Sequence, residues 1–458
     1  MIALTPSQIA SFYDLVGDAA RPVTIAGKQQ FILFFAFTDG TRRADVVTVS
    51  GSSLDEAWME GMRRVDASVD PVRWLRVDWV DAVEPQTWRA LKETLRRIKR
   101  NYFRLGIALD ADFTHAFLET ELNANAMLYG GPSDEAAMLN AANFRNYAAR
   151  RHGLVELEFD DAGAVWVFTT QAAFIGDDGV PCRLAGTGLD TGRRIINPMT
   201  PDDALAFIRS GAGYLASQVQ GDGWFHYGWH PCFDRAVTSY NTLRHASTLC
   251  AMLEAWEVTQ DALLKSAIDR ALACLTDHLI RPMTLPNGAQ AEFLVDTGDE
   301  IKLGGNAVAL LALVKHAELT GDQRHRGLMY GLAAGLCHMQ DASTGAFHHV
   351  LTYPTLTLKQ RFRTIYYDGE AAFALMRLYG LTGDLRWLGA VEKALEHFIV
   401  AEHWKAHDHW LSYCVNELTL HRPEERYFAF GIANFRDHLD FVRKRISTYP
   451  TLLELMMA

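Results

Sequence analysis

Three stretches of this chain end alike. Glu257–Asp261 reads Glu-Val-Thr-Gln-Asp, Glu318–Asp322 reads Glu-Leu-Thr-Gly-Asp and Gly380–Asp384 reads Gly-Leu-Thr-Gly-Asp, with closing aspartates 61 and 62 residues apart. A period of this length marks stacked supersecondary units, none of which buries its apolar face alone. An Ala/Leu-rich segment precedes each ending, at His245–Trp256, Asn306–His316 and Gly369–Tyr379. A more polar amphipathic segment follows each, at Asp261–Ile280, Asp322–Met339 and Asp384–Val400. A helix that is apolar all round must be buried all round, whereas one with a single apolar stripe lies half-exposed. Their alternation predicts inner helices flanked by outer ones, an α/α toroid, the closed relative of helical solenoids. Short strand-like runs are expected at Ala291–Val295, Gly345–Tyr353 and His409–Val415, and a degenerate fourth unit at Arg426-Tyr427. Asp202–Val219 reads as the second half of a preceding unit. Residues 200–458 are thus expected to form an all-α repeat domain of about eight helices, an incomplete toroid of about four hairpins.

Residues 1–195 read differently, as a mixed α+β domain. Thr5-Pro6 opens an amphipathic helix, and Ser53–Glu56 has the form of a capping box. Phe31–Phe37 and Ala44–Ser50 flank Asp39-Gly40 as a hairpin, and Arg73–Val80 alternates polar and apolar residues as a half-buried strand does. Helices are expected at Gln86–Arg100, Asp112–Met127 and Asp134–Arg151, and strands at Leu154–Phe159 and Ala164–Thr169. The basic run Arg89, Lys92, Arg96, Arg97, Lys99, Arg100 and Arg104 reads as a solvated helix face in preference to a patch for phosphate or an acidic polymer. The polar phrase from Glu119 to Tyr129 reads either as a helix stop before two glycines or as a contact segment.

The net charge of −11 repels polyanions, so nucleic acid and anionic membranes are not expected as partners. No apolar run is long enough to span a bilayer, and the start has no basic-then-apolar leader pattern. The six cysteines (182, 232, 250, 274, 337, 414) are scattered without a Cys-x-x-Cys and read as reduced thiols of a cytoplasmic protein. No cofactor is expected.

The repeat also points to a site. Counting 16 residues back from each closing aspartate gives His245, Asn306 and Asp368, at or near the starts of the inner helices. In a toroid these starts converge on one mouth and offer free N–H groups to polar ligands. The bland reading makes Asn306 and Asp368 helix caps. Around these positions lie Tyr240, Asn241, Arg244, Lys302, Tyr366, Tyr367 and Glu370. Upstream, Gly221–Arg235 crowds Trp224, His226, Trp229, His230 and Asp234 into one loop. Trp224, Trp229, Trp404 and Trp410 are candidate sugar platforms or, equally, packing residues. His226, His230 and Cys232, like His403, His407 and His409, lack the helical setting and supporting pattern of a zinc site, so no metal is expected.

The repeat, its Thr-Gly-Asp joints and the Gly-aromatic runs after the outer helices resemble the α/α toroids of carbohydrate-active enzymes. These include six-hairpin glycosidases, uronate lyases, sugar 2-epimerases and the glucuronyl C5-epimerases. The resemblance covers a little over half of the chain and reproduces no one family's catalytic motif. It implies an enzyme acting on an oligo- or polysaccharide, and two chemistries fit the residues present. Glycoside hydrolysis needs two carboxyls across a cleft, one protonated; Asp234, Glu292, Asp296, Asp368, Glu370 and Asp408 are available. Uronate elimination or C5 epimerisation needs a Tyr or His base with carboxylate neutralisation, a role suited to Tyr240 and His245 with Asn241, Arg244, His226, Tyr366 and Tyr367. A non-catalytic toroid serving as a binding scaffold or regulator is the third reading.

Overall fold

A computed structural model describes residues 4–68, 71–131, 135–196, 198–231, 233, 235–446 and 449–458. The chain divides into two compact units, one of Met1–Pro198 with Trp229–Arg235 and the other of Met199–Gly228 with Ala236–Ala458. Among the described residues, no helix is long and apolar enough to cross a membrane.

The first unit is built on an eight-stranded sheet of β1 (Val23–Ile25), β2 (Lys28–Thr38), β3 (Asp45–Gly51), β4 (Trp74–Thr87), β5 (Gly106–Ala108), β6 (Ala116–Phe117), β7 (Ala164–Ile175) and β8 (Cys182–Arg183). The main order is β1-β2-β4-β7-β5-β6, with β3 beside β2 and β8 beside β7; the pairings are antiparallel. Alternation along β2 sends Leu33, Phe35 and Phe37 to one face, against Phe12 of α1 (Pro6–Gly17) and Trp58 of α2 (Leu54–Asp66). Ile32 and Phe34 face the other way, toward Phe113 and Phe168. A further core gathers Trp88 and Leu91 of α3 (Trp88–Leu95), Leu122 of α4 (Glu119–Ala124) and Phe144 of α5 (Ala141–His152).

Four expectations need correction in this unit. The helix expected at Gln86–Arg100 is confined to α3, because β4 runs on to Thr87, and the one expected at Asp134–Arg151 begins only at Ala141, after Ala136 and Met138 form bridges to Lys99 and Tyr129. Asp112–Met127 is not one helix. The Asp110 carboxylate accepts from the Thr114 and His115 amides, Phe113 takes a left-handed φ of 59°, and β6 forms before α4 begins. Leu154–Phe159 is not a strand. Gly153, left-handed at φ 71°, ends α5, and the following coil lays Leu154, Leu157 and Phe159 on the core without pairing. In the basic run, Lys92 pairs with Asp161 at 2.8 Å and Arg104 with Glu119 at 2.8 Å.

The second unit opens with α6 (Pro201–Gln218), and short strands β9 (Trp229–His230) and β10 (Arg235–Ala236) bracket the segment grouped with the first unit. Four helical hairpins follow. Their inner helices are α7 (Thr242–Thr259), α9 (Leu303–Thr320), α11 (Tyr366–Thr382) and α13 (His409–His421). The outer ones are α8 (Ala262–Cys274), α10 (Arg326–His338), α12 (Leu385–Val400) and α14 (Glu425–Arg436), followed by α15 (Leu439–Lys444) and α16 (Tyr449–Met457). The inner helices pack side by side in the order α7-α9-α11-α13, and α16 packs on α13. The repeat's joint has a physical basis. Gln260, Gly321 and Gly383 each end an inner helix in the left-handed region, at φ 50°, 71° and 68°. The next residue is the repeated aspartate, and Asp261 and Asp384 cap the outer helices that follow.

The links after α8 and α10 carry β11 (Ile280–Thr284), β12 (Gln290–Asp296), β13 (Glu300–Lys302), β14 (Val350–Thr352) and β15 (Thr357–Gln360), one antiparallel sheet in sequence order. The link from α12 to α13 is a single 3₁₀ turn, His403–Ala406. The fourth unit is therefore shorter than its predecessors. His409–Val415, expected as a strand, forms the first turns of α13, and the helix near Arg426 is its outer partner.

Candidate active site

The three equivalent positions lie one turn inside the inner helices, so none of them is a cap. Asn241 caps α7 by accepting from the Arg244 amide. His245 is committed at both nitrogens: its Nε2–H donates to the Ala271 carbonyl at 2.9 Å, and its Nδ1 accepts from the Tyr240 hydroxyl at 2.8 Å. Tyr240 in turn accepts from the Phe225 amide at 3.2 Å. Burial pushes the His245 imidazole down and the Tyr240 phenol up to about 12, so both stay neutral. Asn306 is saturated too. Its Oδ1 accepts from the Leu294 amide at 2.7 Å, and its Nδ2 donates to the Lys302 carbonyl at 2.8 Å and the Leu294 carbonyl at 3.3 Å, tying β12 to α9.

Asp368 is buried and accepts from His349 Nε2 at 3.1 Å. The Arg363 amide donates to His349 Nδ1 at 2.9 Å, which places the ring proton on Nε2, toward the carboxylate. Two residues on, Glu370 is 7% exposed and its Oε2 has no hydrogen-bond partner among the described residues. Burial pushes its carboxyl up to about 8, partly offset by the Arg244 guanidinium. Asp408, fully buried, caps α13 through the Trp410 amide at 3.0 Å, while its Oδ2 has no hydrogen-bond partner among the described residues. Burial raises its carboxyl well above the ordinary range, and the charges of Glu370 and Asp368 raise it further. Glycines make room for both carboxyls. A Cβ on Gly304 would lie 2.0 Å from Glu370 Oε2, and one on Gly369 would lie 2.3 Å from Asp408 Oδ2.

Glu370 belongs to a wider lining. Helical spacing puts Glu370, Phe373 and Arg377 on one face of α11, Trp410, Tyr413 and Glu417 on one face of α13, and Arg244, Ser247, Ala251 and Glu254 on one face of α7. The Phe373 and Tyr413 rings stack at 5.4 Å, with Trp410 beside Phe373 at 6.1 Å. Burial pushes the Tyr413 phenol up to about 12, helped by the charges of Glu454 and Glu254. Burial also raises Glu454, with Glu254 adding to it, and it raises Glu254. Glu254 on α7 and Glu454 on α16 thus sense each other although α9 and α11 stand between α7 and α13 in the row. Tyr413, on α13, lies within electrostatic reach of both acids. Arg377 bridges Glu417 at 2.6 Å and Glu318 at 2.5 Å, and Lys315 pairs with Glu257 at 2.7 Å.

The remaining predicted residues divide. Tyr366 is 43% exposed and faces the His409 ring at 5.6 Å; Tyr367 is buried against His349 at 5.4 Å. Burial holds His409 down at about 4, and its Nε2 lies 3.6 Å from Glu454. Asp296 accepts from the Thr242 amide at 3.0 Å and pairs with Lys302, and Glu300 takes a bidentate bond from Arg363 at 2.7 and 3.0 Å. Trp224 packs edge-on to Tyr240 at 4.8 Å, and His226 is exposed. Glu292 stands apart on β12, where a Cβ on Gly331 of α10 would come within 2.4 Å of its Cγ. Trp229 is grouped with the first unit, and Asp234 lies outside the described residues. Sequence reasoning did not single out Glu254, Phe373, Tyr413 and Glu454. The signal for the first three was the i, i+3, i+4 ladder of chemical groups on helices otherwise read as buried. Among the described residues, no three His, Cys, Asp or Glu side chains gather to hold a metal ion.

No protein-family model matches the chain, and no curated protein matches it. Solved structures do. A cellobiose 2-epimerase from Bacillus thermoamylovorans is 12% identical, with 53% of this chain and 73% of that chain covered and a TM-score of 0.43. A D-mannose isomerase is 11% identical, with 52% and 70% covered and a TM-score of 0.41. A glycoside hydrolase family 76 mannosidase from Bacteroides thetaiotaomicron is 12% identical at a TM-score of 0.35, and the match covers 44% of this chain and 60% of the hydrolase. These are distant, fold-level resemblances to α/α-toroid carbohydrate-active enzymes.

Proposed function

We propose that the second unit hydrolyses glycosidic bonds in an oligo- or polysaccharide, with Glu370 as the general acid. The observation that carries this reading is a carboxyl held up to about 8, with an oxygen unpartnered among the described residues, on a helix face shared with Phe373, whose ring stacks on Tyr413. Near neutrality Glu370 keeps its proton and donates it to the leaving oxygen, as a glycosidase acid must. Asp408, its carboxyl also raised by burial, keeps negative charge away from that proton. Glu254 and Glu454 are the candidates for the second carboxyl. They lie close enough to interact, so the first proton to leave the pair leaves it singly charged. Trp410, Tyr413 and Tyr366 offer ring faces to a sugar, and Arg244 and Asn241, at the mouth of α7, offer polar contacts.

One observation favours a second chemistry. His409 is neutral, its Nδ1 has no hydrogen-bond partner among the described residues and lies 3.5 Å from Asp408 Oδ1, and its Nε2 is 3.6 Å from Glu454, an arrangement suited to moving a proton at a sugar carbon. Tyr240 and His245, the other candidates for that role, already spend their hydrogen bonds on each other and on the backbone. A glycan panel separates the readings. Hydrolysis releases new reducing ends, uronate elimination gives an ultraviolet-absorbing product, and epimerisation or isomerisation exchanges solvent deuterium into the sugar without shortening it. A panel that binds but shows none of the three, for wild type and Glu370→Gln alike, leaves a binding scaffold and overturns the enzyme reading.

A further inference from the structure

A cavity of about 430 Å³ in the first unit plays no part in this chemistry. Its floor is a row across four strands of one sheet face. Val46 of β3 pairs with Ala36 of β2, Ala36 with Arg76 of β4, and Arg76 with Phe174 of β7. The small Ala36 makes a depression in that row, and Trp74 closes one side. An arginine in the middle of an apolar row costs desolvation unless it is pinned. Asp78, two residues along the same face of β4, pins it with two bonds of 2.7 Å and is itself buried. The acid that lines the wall, Glu121 of α4, is equally spent, accepting from the Leu118 amide, the Tyr147 hydroxyl and Arg151. Every wall carboxylate is thus neutralised.

Two cations remain. Arg43 and Arg194 line the cavity, and among the described residues neither forms an ion pair. Arg43 donates only to the Pro231 carbonyl at 3.1 Å and lies 5.9 Å from the Tyr147 ring. The cavity therefore pairs an apolar, aromatic floor with uncompensated guanidinium charge, on a chain whose net charge is −11. Its volume falls in the range of small-molecule pockets, and guanidinium forks suit carboxylate and phosphate oxygens.

We propose that this cavity binds a small organic anion, a carboxylate or phosphate ester on a ring or other apolar body. The head is held by Arg43 and Arg194, and the body lies on the floor beside Trp74 and Phe174. The site is independent of the proposed glycosidase chemistry and is tested without reference to turnover. The purified full chain is titrated by calorimetry and tryptophan fluorescence with benzoate, phenyl phosphate, inorganic phosphate and benzyl alcohol. Benzoate or phenyl phosphate is expected to bind saturably at one site, the tighter of the two identifying the head group. Inorganic phosphate and benzyl alcohol are each expected to bind at least about tenfold more weakly, because each lacks one half of the recognised chemistry. The Arg43→Gln/Arg194→Gln double variant is expected to weaken binding at least about tenfold. Ala44→Trp, at an exposed lining position, is expected to do the same with every charge in place, which decides the matter if the double variant misfolds. The proposal is overturned if neither anion saturates, if benzyl alcohol binds as tightly, or if binding survives Ala44→Trp.

Discussion

The starts of α7 and α9 and the starts of α11 and α13 are built on one repeat, yet they treat their polar groups in opposite ways. At α7 and α9, His245 and Asn306 have every hydrogen-bonding atom matched to a backbone group or to Tyr240. At α11 and α13, Glu370 and Asp408 each keep a buried oxygen without a partner, and burial holds both carboxyls above their ordinary range. A matched buried polar group stabilises and orients; an unmatched one costs free energy and persists only where something else selects it. Two copies of the repeat thus serve the scaffold, and the strain collects at the other two.

The largest effect expected of that contrast is on turnover. Glu370→Gln should lower kcat on the preferred glycan by about 10³-fold while leaving the melting temperature unchanged or higher, because it removes a general acid and a buried titratable group together. A kcat within a few-fold of wild type would remove the site from α11. The scaffold side predicts the reverse. Asn306→Ala should cost about 2–3 kcal/mol in denaturant unfolding by orphaning the Leu294 backbone, with kcat per folded molecule retained. Gly369→Ala tests how tightly the strained side is packed. Its methyl would press on Asp408 and the start of α13, and about 1–3 kcal/mol of stability should be lost.

A pH series sharpens the comparison further. Folded Glu370 holds its proton up to about pH 8, whereas an ordinary glutamate releases it near 4.5. The folded state therefore binds the extra proton within that window, and stability should fall as pH rises through it, by at most about 1.4 kcal/mol per pH unit from this group. Glu370→Gln should flatten that slope, and in the wild type kcat/KM should decline above about pH 8 as the acid ionises. The smallest effect belongs to Tyr240→Phe, which removes the hydroxyl between Phe225 and His245. About 1 kcal/mol of stability should go, with activity within a few-fold.

The helical half was readable because its joints obey local chemistry. A left-handed residue followed by an aspartate ends one helix and starts the next wherever it occurs, so the period showed through low similarity elsewhere. The fourth unit was placed too late, at Arg426, because its strand link is missing, and Trp410 and Tyr413 at the head of α13 look like strand residues until the helix is seen. Counting from the repeat led to Asp368, with Glu370 beside it, but counting does not distinguish a matched polar group from an unmatched one. That difference depends on Gly304, Gly369 and the backbone of β12, brought near by tertiary packing. Glu254 was hidden for a related reason. On an inner helix it reads as an ordinary helix acid, and its raised carboxyl follows from desolvation by its surroundings, which no local pattern encodes.

The segment Trp229–Arg235 is grouped with the first unit although the chain on either side of it belongs to the second. The polypeptide therefore passes between the units at three places, after Pro198, after Gly228 and after Arg235. These are not two beads joined by one tether. A protease that nicks the chain at 198–199 releases no intact module, because the downstream fragment still carries part of the upstream one. Expressed alone, residues 1–198 would lack Phe233, which lines a small recess with Asn125, Asn143, Asn146, Tyr147 and Arg150.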